Sequence, residues 1–62
     1  MEKPVCKLIG QDGNIFNLMG IACRALRDAG LEKRAFEMIE RISLARDYDE
    51  ALRIILEYVE AD

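Results

Sequence analysis

The sequence has no histidine and no tryptophan. Without histidine, the usual zinc ligand sets, the Ser-His-Asp triad and the Cys-His pair are excluded. Long hydrophobic runs are also missing. None approaches the ~20 residues of a membrane span, so no membrane association is expected. No signal-peptide pattern opens the sequence, which leads to the expectation of a cytoplasmic protein. Proline occurs once, at Pro4, and cysteine twice, at Cys6 and Cys23. Nothing points to secretion, so both cysteines are read as reduced, small buried hydrophobes.

What is present describes one small globular domain, residues 1–62. Hydrophobic residues make up 52% and charged ones 34%, far from the composition of a disordered chain. A domain this small rarely draws more than ~3–5 kcal/mol from its own core. With no disulfide or metal expected, oligomerisation is the natural supplement, and a dimer is anticipated.

The net charge is -3, but it is unevenly spread. Residues 1–46 carry eight basic and six acidic groups. Residues 47–62 carry six acidic groups against Arg53 alone. The second segment is therefore either a solvated acidic helix or an acidic face for a basic partner.

The pattern is mainly α, with one short strand and three helices. Val5-Cys6-Lys7-Leu8-Ile9, between Pro4 and Gly10, reads as a strand over about 4–9. A single strand cannot satisfy its backbone alone. The same strand of a second copy is the economical partner, and the extended tail after Tyr58 competes with it. Gly10-Gln11-Asp12-Gly13-Asn14 is turn chemistry, and Asp12 or Asn14 can cap the next helix.

Helix 1 is expected over about 15–29, with Gly30 in its C-terminal left-handed position. Ile15, Leu18, Met19, Ala22 and Leu26 form its main stripe, and Phe16, Ile21, Cys23 and Ala25 widen it. That arc is about twice what one packing surface needs, so a second cover is implied. Gly20 sits mid-helix at a cost of about 1 kcal/mol relative to alanine. Close approach of a neighbouring backbone would account for it.

Helix 2 is expected over about 31–44, with Leu31, Ala35, Met38, Ile39 and Ile42 facing inward and Glu37–Arg41 as an i,i+4 pair. Phe36 falls outside the stripe, under the strand or in an interface. Asp47 with Glu50 resembles a capping box that opens helix 3, over about 48–59. Tyr48, Ala51, Leu52, Ile55, Tyr58 and Val59 form its core face.

Few groups here support catalysis. Cys6, Cys23 and Ser43 have no base to activate them, and the acids lie mostly on exposed helix faces. No enzyme activity, cofactor, metal or catalytic residue is expected. The loop before helix 1 suggests a candidate anion site at Gly10, Gly13 and Asn14, with Arg24 as the cation. It matches neither nucleotide-binding fingerprint, and Asp12 would repel phosphate. Phe36, Tyr48 and Tyr58, with Glu57 and Glu60, are candidate partner-binding residues, because aromatic groups anchor interfaces.

Several stretches carry a family resemblance. They are Lys7-Leu8-Ile9-Gly10, Asp12-Gly13-Asn14, Phe16, Gly20, Ala25-Leu26, Ala29-Gly30, Tyr48-Asp49-Glu50-Ala51-Leu52 and Glu57-Tyr58-Val59-Glu60. Together they resemble a family of very short proteins encoded by phages and integrated mobile elements of bacteria. Its pattern is KLIGxDGNxFxLxGxAxxAL, then YDEAL and EYVE. The resemblance implies a bacterial cytosolic setting and transfers no activity, cofactor or site residue.

Three functional readings follow. The first is a non-enzymatic protein of mobile-element type that self-associates and binds a host protein. The second is an oligomer that binds a small anionic ligand such as a nucleotide. The third is a regulator resembling ribbon-helix-helix DNA-binding proteins, with paired strands in the major groove. The acidic balance disfavours nucleic acid as a partner.

Overall fold

The computed structural model describes residues 2–62. In order, the elements are β1 (Val5–Cys6), α1 (Ile15–Asp28), α2 (Glu32–Ser43), α3 (Tyr48–Tyr58) and β2 (Glu60–Ala61). The helix ends fall within one residue of the sequence-based bounds. The strand is shorter than the 4–9 expected, because Leu8 leaves it to enter the core at 8% exposure.

Both ends of α1 and the start of α3 have local causes. Asn14 caps α1 by accepting the Phe16 amide at 2.8 Å, while Asp12 accepts the Asn14 amide at 3.0 Å. At the far end Gly30 takes φ 77°. Its amide donates to Arg27 O, and the Leu31 amide donates to Leu26 O at 2.8 Å. These two bonds make a Schellman motif. At α3, Asp47 Oδ1 accepts the Glu50 amide at 2.8 Å, and Glu50 returns a carboxylate oxygen to the Arg46 amide at 2.6 Å. The capping box is thus present, closed one residue before its usual position.

The three helices pack on one another, each against the other two. α1 contributes Leu18, Ala22 and Leu26; α2 contributes Ala35 and Met38; α3 contributes Ile54, Ile55 and Tyr58. Ala22 and Ala35 are fully buried, so small side chains allow the helices close approach there. Leu26, Met38, Ile55 and Val59 are the largest fully buried side chains.

The strand partner corrects the sequence-based expectation. β1 does not wait for a second copy. It pairs in parallel with β2, in the register Val5↔Glu60 and Cys6↔Ala61. Bonds from the Glu60 amide to Pro4 O and from the Asp62 amide to Cys6 O, both 2.9 Å, join the two segments. The Ile9 amide extends the pairing to Asp62 O at 3.2 Å. The cause is Val59. It turns extended at φ -136°, ψ 160°, and buries its side chain to 1% exposure, so the tail is held against the N-terminal segment. Lys3 Nζ donates to Leu56 O at 2.9 Å and ties the same end.

The wide apolar arc of α1 is covered in part by β1. Ile21 and Ala25 border a cleft shared with Pro4, Val5 and Cys6. Gly20 has no such explanation within the chain. A Cβ placed there meets nothing within 4 Å, so the expected close approach does not occur.

Candidate interaction surface

The candidate anion residues are not brought to one place. Gly10 lies in the turn after β1 with φ 86°, and Gly13 directly precedes the cap of α1. The local amides are largely spoken for: Asn14 N by Asp12, Phe16 N by Asn14, Gln11 N by Leu8 O. The Gly13 carbonyl accepts the Tyr48 hydroxyl at 2.6 Å. Arg24 stands ten residues along α1 from Asn14, about 15 Å away at the helical rise per residue. It borders the cleft between β1 and α1 instead. The four residues form no common pocket within one chain.

The candidate partner residues divide into two groups. Glu57 and Tyr58 belong to a network that joins α2 to α3. Arg41 donates to both Glu57 carboxylate oxygens, at 2.6 and 3.1 Å, and to the Tyr58 hydroxyl at 3.2 Å. Its guanidinium lies 5.7 Å from the centre of the Tyr58 ring. The Tyr58 hydroxyl donates to Glu37. The expected Glu37–Arg41 pair therefore gives way to two contacts with α3. A bidentate carboxylate and a tyrosine ring offer Arg41 more than a neighbour on its own helix.

This network shifts its members' proton affinities. The Arg41 hydrogen bond holds the Glu57 carboxyl below the usual glutamate range. Burial, then the bond to Glu37, pushes the Tyr58 phenol up. Hydrogen bonds from Arg41 to Glu57 and Tyr58 push the guanidinium still further from deprotonation. Tyr58 is 8% exposed, so it is a core residue with an engaged tip rather than an open anchor. Glu60 lies exposed on β2.

Phe36 and Tyr48 are the accessible members. Phe36 is 58% exposed, with the Arg27 guanidinium 5.9 Å from its ring centre. It lies neither under the strand nor in the core. Tyr48, read from sequence as both core and anchor, is exposed on one side and tied to Gly13 by its hydroxyl.

Tyr48 also marks a surface that sequence reasoning did not assemble. Where α1 begins, α2 ends and α3 begins, the helices part around a groove of about 560 Å³. Ile15, Met19, Ile39 and Ile42 form its floor, and Phe16 and Tyr48 stand at its edges. Phe16 is 75% exposed, and Leu44, just past α2, is 79% exposed. The floor residues sit on helix stripes that looked like core. The available signal was the apolar arc of α1, about twice what one packing surface needs.

Neither a family model, nor a curated protein, nor a solved structure matches the chain. No helix among the described residues is long and apolar enough to cross a membrane.

Proposed function

We propose that this chain is a non-enzymatic interaction protein of mobile-element type, acting by self-association and by binding a host protein. The observation that carries this reading is the open apolar groove with Phe16 and Tyr48 at its edges. Large apolar groups that remain in water at one end of a small bundle favour association over isolation. Phe36, Val5 and Ile9, at 58%, 61% and 69% exposure, offer further apolar area for a second copy. The mobile-element context and cytoplasmic location rest on the resemblance of the Lys7–Asn14, Tyr48–Leu52 and Glu57–Glu60 stretches to that family.

The other readings draw less support. The anion candidates are spread over two sites, and β1 is paired with the tail of its own chain.

The test combines sedimentation with photo-crosslinking in a bacterial host. A photoreactive phenylalanine analogue replaces Phe36, Tyr48 or Glu60 in turn. A mass that rises with concentration, together with a discrete adduct to a host protein, is the expected result. A chain that stays single at every concentration and forms no adduct refutes the reading.

A further inference from the structure

Gly20 weakens α1 and packs against nothing in its own chain. It is exposed, in the lining of a cleft of about 330 Å³ that it shares with Phe16, Asn17, Ile21 and Arg24. Phe16 precedes it by four residues and Arg24 follows it by four. On a helix these three positions form one i±4 ridge, with a notch at the glycine. Phe16 is mostly in solvent. Arg24 is exposed and forms no ion pair among the described residues. On the same helix, Arg27 already places its guanidinium over an exposed ring, that of Phe36.

From this ridge we infer that α1 docks antiparallel on α1 of a second copy of this chain, with the two Gly20 residues at the crossing. The inference rests on the self-association in the reading above and names its surface. A two-fold axis makes every contact twice, in reverse. Phe16 and Arg24 are equally spaced about Gly20, so each ring meets the guanidinium of the other copy. Two cation–π pairs result. An unrelated partner gains nothing from that equal spacing; a second copy does. A parallel crossing sets Arg24 against Arg24 and aligns the helix dipoles, whereas the antiparallel one opposes them. With no Cβ at the crossing, the axes can approach to about 8 Å, at the roughly 50° angle of ridge-into-groove packing. Asp28 lies about 12 Å from the crossing, where helices at that angle have diverged, so it stays clear of the Asp12 loop of the second copy.

The test pairs sedimentation equilibrium of the full chain with isotope-filtered NMR on an equal mixture of labelled and unlabelled chains. The chain should form a dimer as its concentration rises, and intermolecular NOEs should join the Phe16 ring to the Arg24 side chain. Gly20→Gln supplies a better helix former in open space, so it should melt no lower than the parent when dilute. Its side chain should nonetheless hold the helices apart and weaken the dimer by about tenfold or more, as loss of a central contact does. Arg24→Glu, also on the surface, should weaken the dimer comparably while keeping its circular dichroism. Undiminished pairing of Gly20→Gln, or NOEs from Phe16 to Phe16 in place of Arg24, overturns the inference. A dimer whose intermolecular NOEs lie only on other surfaces also overturns it, and the self-association reading survives. A chain that stays single at every concentration overturns the inference and the self-association together, and the interaction reading then stands or falls with the host adducts.

Discussion

Arg41 is the residue through which α2 and α3 communicate, and its contacts make stability depend on pH. Glu57 is exposed, so solvent screens the pair and the effect is modest. The direction is set by the lowered carboxyl pKa in the folded chain. A depressed folded-state pKa gives stability that is present above the unfolded glutamate value and lost as pH falls through the folded one. The chain should therefore melt higher than Glu57→Gln at pH 7. The gap should close as pH drops through the acid range, and melting curves over a pH series would read it. Tyr58→Phe tests a different part of the network. It removes a hydroxyl shared by Arg41 and Glu37 without emptying the core. Chemical denaturation should show a loss of about 1 kcal/mol, the usual net worth of a hydrogen bond.

At the level of single elements, the helices follow from local chemistry. Asn14, Gly30 and the Asp47–Glu50 box stand where side-chain preferences put them, and the helix bounds were legible for that reason. Gly20 contradicts its helix without compensation inside the chain. Gly20→Ala should stabilise the isolated chain by roughly 1 kcal/mol, measured by denaturation. Asp47→Ala should do the reverse by about 1 kcal/mol, because it strips the cap from α3. Side-chain destinations were less legible than backbone states. A wheel shows that Met19 and Ile42 are on an apolar face. It does not show that the bundle opens at their level. Nor does spacing within one helix show that Arg41 will reach the next. The groove and the network both arise from contacts between elements far apart in sequence, and a helix pattern carries no information on those.

For the molecule as a whole, the decisive long-range contact joins the first and last elements. A sequence window sees the short apolar run of Val5 to Ile9 between Pro4 and Gly10 but not the strand that answers it. Only two residues of tail form β2, too few for any periodic signal. Pairing with a second copy was therefore the simpler expectation, and Val59 decides otherwise by anchoring the tail in the core. Truncation after Val59 should expose the amide of Ile9, which now donates to Asp62. Hydrogen exchange at Ile9 should accelerate markedly in the truncated chain, while exchange at Leu26 and Ile55 changes less.

The parallel course of β1 and β2 has a mechanical consequence. When the two ends are drawn apart, parallel terminal strands slide past each other lengthwise. Their cross-links at Pro4, Cys6 and Ile9 are then strained together, in shear, and do not open one after another like a zip. The helices behind them feel the pull only after that clasp has parted.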